Sequence, residues 1–222
     1  MSSQFLGRLR GRIKHGLLTQ EILDRLGGLG VRLTPYLIVD ESPGALINYE
    51  GEISGCSFRT LDASEMHMVA NMPNRKRDLE EVLSRLAFAE CLGAFIGDTL
   101  AGYTWSRRDH VGRLRGRIKF HQLAHDEAYL FDMYVDKDFR GMSLAPLLRH
   151  HLFQHLSSQG VRRFYSITTY FNRSSRKFKA KLGARELELR LSISFWSRLN
   201  ADFLLRRYDK NTPIRTKRAY FV

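Results

Sequence analysis

The stretch MYVDKDFRGMSLA, residues 133–145, decides how the middle of this 222-residue chain folds. Its first residues continue an apolar and aromatic run, which predicts a strand that ends at Val135. A short basic loop follows, and the spacing of apolar residues after it predicts a helix that begins at about Ser143. The sequence therefore predicts a strand, a short loop and a helix in direct succession.

The loop Arg140–Ala145 has the properties of a binding site for a phosphate-like anion. The first N–H groups of a helix have no partner within the helix, and the helix dipole places partial positive charge there. Gly141 and the small residues Ser143 and Ala145 let an anion approach the backbone closely. Arg140 adds a formal positive charge. The loop therefore predicts a cradle for a diphosphate.

This loop also resembles the signature of a known superfamily. The GNAT acyltransferases carry Gln/Arg-x-x-Gly-x-Gly/Ala after a strand that usually ends in Val. The segment RGMSLA, residues 140–145, keeps Arg140, the frequent Gly141 and the permitted Ala145, and it replaces the central glycine with Ser143. Because backbone amides do the binding and serine is small, this replacement leaves the expected site intact.

A second run, NRSSRKFKAKLGA at residues 172–184, resembles the second GNAT motif. Asn172 follows a predicted strand, the small Ser175 comes three residues later, and the aromatic Phe178 precedes a Lys-x-Gly that closes the helix at Gly183. The two runs together identify the chain as similar to the GNAT superfamily over roughly Cys56–Trp196.

The order of predicted elements agrees with this resemblance. From Cys56 onward the patterns predict a strand, two helices over residues 62–72 and 74–90, a hairpin joined at Gly97-Asp98, and then strand, helix, strand, helix and strand. The resemblance implies an α/β GNAT (acyl-CoA N-acyltransferase) fold: a mixed, mostly antiparallel central sheet with a splayed strand pair and flanking helices. We expect residues 51–222 to form this domain and residues 1–50 to form a helix and strand appendage.

The N-terminal segment predicts an amphipathic helix with basic residues between its apolar positions, before a strand that begins at Val31. Packing against its own domain is the favoured interpretation; binding to an anionic membrane surface and homodimerisation are alternatives. No apolar run approaches the roughly 20 residues of a membrane span, and no secretory signal pattern is present. A cytoplasmic location is therefore predicted.

The resemblance implies a site for acetyl-CoA or another acyl-CoA. The strand end Met133–Val135, which includes Tyr134, would hold the acyl-pantetheine arm through its backbone. The amides of the loop would bind the pyrophosphate, and Asn172 and Ser175 would lie beside the pantetheine or thiol. The loop residues are Arg140, Gly141, Met142, Ser143, Leu144 and Ala145. No metal is implied, and no Cys/His spacing resembles a zinc site.

The implied activity is acyl transfer from CoA to an amine by direct attack, with N-acetylation as the first expectation. One alternative is an N-acyltransferase that takes a longer chain from CoA or from an acyl-carrier protein. Another is a CoA-binding module without turnover. This last alternative arises because Lys179 stands where relatives often carry the tyrosine that protonates the thiolate.

The groups that would move protons have several candidates. Lys179, a nearby tyrosine such as Tyr170 or Tyr134, or solvent would protonate the thiolate; a solvated Lys179 on an exposed helix face is the favoured interpretation. Asp132 and Glu127 are the candidate general bases, and each also fits an ordinary strand carboxylate. Strand alternation places Glu127 on the face of Met133 and Asp132 on the opposite face.

The charge of the chain favours anionic partners. The sequence has 36 Lys and Arg against 23 Asp and Glu, which gives a net charge of +13. Between Arg107 and Lys119 lie six basic residues, namely Arg107, Arg108, Arg113, Arg115, Arg117 and Lys119. This basic segment is either an electrostatic funnel for an anionic small-molecule acceptor or acyl carrier, or a solvated hairpin. Nucleic-acid binding is not favoured, because no recognition motif is present.

Overall fold

A computed structural model describes residues 30–42, 51, 53–112, 119–195 and 199–208. The predicted N-terminal helix and the arginines Arg113, Arg115 and Arg117 lie outside these residues. The chain divides into two compact units, each described by itself. The middle unit comprises residues 42–111 and 122–165, and the terminal unit comprises residues 1–41, 112–121 and 166–222.

Ten strands and four α-helices make up the described residues. The strands are β1 Val31–Asp40, β2 Cys56–Leu61, β3 Glu90–Ile96, β4 Thr99–Arg107, β5 His110–Gly112, β6 Lys119–Gln122, β7 Glu127–Val135, β8 Arg163–Thr169, β9 Arg185–Phe195 and β10 Leu199–Arg207. The helices are α1 Met66–Ala70, α2 Leu79–Ser84, α3 Leu144–Ser158 and α4 Arg173–Lys181. None of the helices described is both long enough and apolar enough to cross a bilayer.

The middle unit is built on the strands β7, β4, β3 and β2, which lie in this order and pair antiparallel. The predicted hairpin between β3 and β4 is confirmed, with Gly97 in the left-handed region at φ 56°. Successive residues of β3 face opposite ways, so Leu92 packs in a cluster with α3 while Cys91 packs in a cluster with α1 and α2. Helices therefore cover both faces of these strands.

Strand β7 contains a bulge near its end. Phe131 pairs with Trp105 and Tyr134 pairs with Tyr103, so Asp132 and Met133 together face one residue of β4. Asp132 has a φ of 50°, in the left-handed region that non-glycine residues seldom adopt. Because of the bulge, Phe131 and Tyr134 share the face of α1 and α2, and Met133 packs on the face of α3.

Gly102 of β4 lets the two strands approach each other at this bulge. A Cβ atom added at Gly102 would lie 2.9 Å from the carbonyl oxygen of Tyr134, closer than side chains tolerate. A glycine therefore allows the end of β7 to take its bulged path.

The terminal unit contains strands in the order β10-β9-β1-β8, together with α4. β1 pairs with β9 along its whole length, from Val31 opposite Phe195 to Asp40 opposite Arg185. Residues that the sequence placed in an N-terminal appendage are thus an inner strand of this unit, and the boundary expected near residue 50 does not coincide with the division into units. Antiparallel pairing across more than 140 residues gives no local signal in either segment.

Two helices differ in extent from the sequence-based expectation. Asp62 caps a short 3₁₀ turn, Ala63–Glu65, before α1, and Glu65 completes the capping box. The helix expected over residues 74–90 contracts to α2 because Asp78 caps it, accepting a hydrogen bond from the Glu81 amide. Residues 74–77 therefore lie outside the helix, and the side chains of Arg75 and Arg77 reach Asp132 of β7. With these adjustments, the mixed α/β fold with an open, mostly antiparallel sheet and flanking helices is confirmed.

Candidate functional site

The loop between β7 and α3 folds as a tight turn followed by two left-handed residues. Asp136 caps the 3₁₀ turn Lys137–Phe139 through its side chain. Gly141 has a φ of 90° and Ser143 a φ of 60°, and α3 begins at the next residue, Leu144. Left-handed residues in short succession turn neighbouring N–H groups toward a common side, which is how backbone nests for anions form.

The N–H groups of residues 141–145 donate to no acceptor in the described part of the chain. Pro146 has no N–H, and the next amide, that of Leu147, donates to the Ser143 carbonyl at 3.3 Å. The first turn of α3 contains no acidic side chain that would neutralise the helix dipole. The five consecutive amides therefore have no acceptor within the described chain; residues 141–143 are exposed, Ala145 is half-buried and Leu144 is buried.

Arg140 links the loop to the end of the strand. Its Nε donates to the carbonyl oxygen of Val135 at 3.1 Å, and its guanidinium lies 5.6 Å from the centroid of the Tyr134 ring. This contact fixes the turn against β7 and keeps a positive charge at the point where the strand ends.

The predicted acyl-arm residues Met133, Tyr134 and Val135 lie at the bulge of β7. The Tyr134 hydroxyl donates to the carbonyl oxygen of Pro73 at 2.9 Å. That hydroxyl would have to leave Pro73 before it could give a proton to a thiolate. The side chain of Tyr134 therefore fixes the strand end, and this contact sets a condition on its predicted alternative role as a proton donor.

Asp132 is enclosed by three arginines of the same unit. Arg75 Nη2 lies 2.5 Å from its Oδ1, Arg77 Nη2 lies 3.1 Å from the carboxylate, and Arg85 Nη1 donates to Oδ2. Both carboxylate oxygens accept from guanidinium groups. Asp132 can meet an incoming amine only if at least one of these contacts opens.

Glu127 is buried near the start of β7. Its Oε1 accepts from the Tyr165 hydroxyl at 3.1 Å and its Oε2 accepts from the Ala124 amide at 3.0 Å, and Arg163 lies 3.7 Å away. Burial, reinforced by the negative charge of Glu127, raises the pKa of Tyr165 to about 12.

The face predicted for Glu127 is wrong, and the bulge is the reason. Ala128 and Leu130 pack in the same cluster as Met133, on the face of α3. Since Glu127 alternates with Ala128, it lies on the face opposite Met133. The extra residue at the bulge shifts Met133 from one face of β7 to the other.

The predicted residues of the second motif belong to the terminal unit. Asn172 is the N-cap of α4, and its Oδ1 accepts from the Ser175 amide at 3.0 Å. Lys179 is only 6% exposed, so the favoured interpretation of a solvated lysine is wrong. Its Nζ donates to the Ser166 Oγ at 2.5 Å and lies 3.4 Å from Glu41 Oε1. Of the tyrosine alternatives, Tyr170 stacks against the Arg176 guanidinium at 4.8 Å.

The arginines Arg75, Arg77 and Arg85 are candidate functional residues that the sequence did not single out. The segment NRKR at residues 74–77 was a visible signal, since it places two arginines just before the cap of α2. It fitted a charged helix face equally well. The convergence of the three arginines on Asp132 depends on residues 47 to 57 positions apart.

The basic segment begins at Arg107, the last residue of β4. Arg107 is paired with Asp109 at 2.5 Å, and Arg108 donates to the His125 carbonyl at 2.7 Å. These two arginines are engaged in local contacts.

Comparisons with known proteins bear on the family and on the fold. The model of the acetyltransferase (GNAT) family matches residues 57–184, which is more than half of the chain. No curated protein sequence matches the chain significantly. Among solved structures, a Drosophila protein superposes with a TM-score of 0.54 at 14% identity, over 82% of this chain and 58% of its own. A conserved protein of unknown function from Staphylococcus epidermidis gives 0.53 at 7% identity, over 79% and 67%.

A third solved structure, a tandem GNAT protein from the clavulanic acid biosynthesis pathway, superposes with a TM-score of 0.52 at 17% identity. The similarity covers 80% of this chain and 54% of that protein. The chain thus spans little more than half the length of the Drosophila and tandem proteins. At these identities the likeness concerns the fold.

Proposed function

The chain belongs to the acetyltransferase (GNAT) family, and from this membership we propose that it is an acyl-CoA-dependent N-acyltransferase whose loop Arg140–Ala145 binds the CoA pyrophosphate. The observation that carries the proposal is the run of amides at residues 141–145 that donate to no acceptor in the described chain. A pyrophosphate offers several charged acceptors, and hydrogen bonds to charged groups each contribute about 1.5–3 kcal/mol. Acetyl-CoA is the donor we expect first.

The end of β7 supports the position of the acyl arm in this proposal. The strand leads from the bulge at Asp132 and Met133 into the anion-binding loop within a few residues. An acyl-CoA whose pyrophosphate lies in the loop would extend its pantetheine along Met133–Val135. Asn172 and Ser175 remain proposed pantetheine contacts through the family motif.

The reaction we propose is direct transfer. The lone pair of the amine nitrogen attacks the thioester carbonyl carbon, the C–N bond forms, and the C–S bond breaks as the tetrahedral intermediate collapses. The amine loses one proton to a base or to water, and the CoA thiolate takes up one proton. Asp132 and Glu127 stay proposed bases, and Lys179 stays a proposed acid.

The contacts of these groups also favour a second candidate, a CoA-binding module without turnover. Asp132 is held by three guanidinium groups, and Lys179 is buried against Ser166 and Glu41. A group that acts on protons must be able to reach the reacting atoms. In this second candidate the contacts of Asp132 and Lys179 do not break, and they only stabilise the fold.

Two measurements test the proposal together. A thermal-shift titration with CoA reports binding, because a ligand that binds the folded state raises Tm. Mass spectrometry after incubation with acetyl-, octanoyl- and palmitoyl-CoA and a panel of amines reports transfer. Binding with transfer supports the enzyme, and the preferred donor separates acetyl from longer chains. Binding without transfer over the whole panel supports the module, and absence of any CoA-dependent shift contradicts both.

A further inference from the structure

We propose that the arginine cluster, defined as Arg75, Arg77 and Arg85 around Asp132, binds the anionic group of the acceptor, so that the acceptor is an amine bearing a carboxylate or a phosphate. This inference rests on the proposed N-acyltransferase function and names the substrate class of that site. It uses only residues of the middle unit.

The cluster carries an excess of positive charge. Its three guanidinium groups are balanced by Asp132 and by Glu81, which pairs with Arg85 at 2.7 Å and with Arg77 at 3.4 Å. One positive charge is therefore left over, and Glu81 is mostly exposed to solvent, which screens its contribution. Planar guanidinium groups match the oxygen spacing of carboxylates and phosphates, so the cluster favours an oxyanion over a neutral or cationic group.

Aromatic side chains hold the arginines in place. The Arg75 guanidinium lies 5.0 Å from the Tyr134 ring and 5.8 Å from the Tyr103 ring, and that of Arg85 lies 5.7 Å from the Trp105 ring. Such contacts reduce the freedom of the arginines before any ligand arrives, and a pre-arranged site loses less entropy on binding.

The surroundings of the cluster are rich in donors and poor in acceptors. Around the cluster, three buried donors have no hydrogen-bond partner among the described residues: the Nε of Arg77, the hydroxyl of Tyr103 and the Nε1 of Trp105. Tyr103 and Trp105 are both fully buried on the face of β4 that the arginines cover. Buried polar groups nearly always have partners, so this region lacks acceptor atoms that a bound oxyanion would supply.

Asp132 takes the place of such an oxyanion in the free protein. Its carboxylate keeps the three arginines together, and it sits at a strained left-handed position immediately before Met133, where we expect the acyl arm. A ligand oxyanion that takes over one guanidinium would release a lone pair of Asp132. The released carboxylate could then accept the proton that the attacking amine loses. An amine without an anionic group would leave all three guanidinium contacts of Asp132 in place.

The first test measures anion binding directly, with CoA held at saturation so that the loop is occupied. The Tm of the protein is followed during titration with sodium phosphate and, separately, with sodium malonate, at constant ionic strength set by sodium chloride. We expect a saturable rise in Tm for at least one anion, and the comparison tells phosphate from carboxylate recognition.

Variants then locate the binding. Arg75→Gln removes the most exposed arginine of the cluster. It should raise the anion concentration at half-saturation about tenfold or more, because a charge-assisted contact is lost. Arg75→Lys keeps the positive charge but lacks the planar guanidinium group, so its affinity for the anion should lie between those of wild type and Arg75→Gln. Arg59→Gln is the matched control: it breaks a 2.5 Å pair with Glu65 in the same unit, away from the cluster, and should bind as the wild type does.

Two results of these titrations would overturn the proposal: a wild type with no saturable response to either anion, and an Arg75→Gln protein that binds the anion as tightly as wild type does. If a variant does not fold, the wild-type titration still shows whether the protein binds either anion. The CoA-induced shift, recorded first in the same assay, reports separately on the proposed function.

Turnover provides the closing experiment. The amines are β-alanine, 2-aminoethyl phosphate and ethanolamine, which bears no anionic group, each with acetyl-CoA. We expect an anionic amine to show at least a tenfold higher kcat/KM than ethanolamine, and Arg75→Gln to remove that preference by raising KM for the anionic amine alone. Equal loss for the charged and neutral amines, or preference for ethanolamine, would count against the cluster as a recognition site.

Discussion

Substitution of Gly141 tests whether the loop binds CoA, and the structure allows the effect to be divided into two parts. Gly141 has a φ of 90°, and a Cβ atom added there would meet nothing within 4 Å. Gly141→Ala therefore adds backbone strain without a clash, which costs about 1–2 kcal/mol. For a chain of this size each kcal/mol lowers Tm by about 2–4 °C.

Gly141→Asp adds a negative charge to the same backbone position. At roughly 5 Å and an effective dielectric constant of about 20, two unit charges repel by about 3 kcal/mol. Since the loop is exposed, solvent and salt reduce this to about 1–2 kcal/mol for each phosphate charge. We therefore expect CoA affinity to fall roughly tenfold per phosphate charge in the Asp variant, and much less in the Ala variant.

The assay is calorimetric titration of CoA into each folded variant, with Tm recorded in parallel. Gly97→Asp is the matched control, because Gly97 also has a positive φ of 56° and open space around its Cβ position, but lies in the β3–β4 hairpin. It should lose stability without losing CoA affinity. If folded Gly141→Asp binds CoA as tightly as wild type does, the loop is not the pyrophosphate site and the reasoning from free amides fails.

Three further predictions concern buried charges. Asp132→Asn leaves three guanidinium groups without their shared counter-charge and should lower the free energy of unfolding by about 3 kcal/mol in urea titrations; an unchanged midpoint would show that the arginines are held by other contacts. Lys179→Ala should lower the free energy of unfolding by about 3 kcal/mol because it removes the ammonium group that lies 3.4 Å from the buried carboxylate of Glu41, and adding Glu41→Gln should restore part of that loss; full stability in Lys179→Ala would refute the burial argument. Because its pKa is raised, Tyr165 contributes stability that is present below about pH 10 and is lost as the pH rises to about 12. The free energy of unfolding measured in urea should therefore fall by about 2–3 kcal/mol more for wild type than for Tyr165→Phe over this range. An equal fall in both proteins would contradict this prediction.

The sequence by itself determined the elements around the loop Arg140–Ala145, because their signals are local. An apolar and aromatic run predicted β7, the spacing of apolar residues predicted α3, and glycine with small residues between them predicted the loop. These signals are readable because strand, turn and helix preferences act over a few residues. The two motifs and their separation were enough to predict the family, which the match to residues 57–184 confirms.

Only the tertiary structure decided which side chains meet. β1 became an inner strand because it pairs with β9, far away in the sequence. The bulge in β7 reversed the face of Met133 relative to Glu127, since one extra residue inverts an alternation of period two. Arg75 lies 57 positions from Asp132, and no periodicity in either segment encodes that contact. Composition could predict that this chain favours anions, but the place where three arginines surround one carboxylate follows from packing α1 and α2 against β4 and β7.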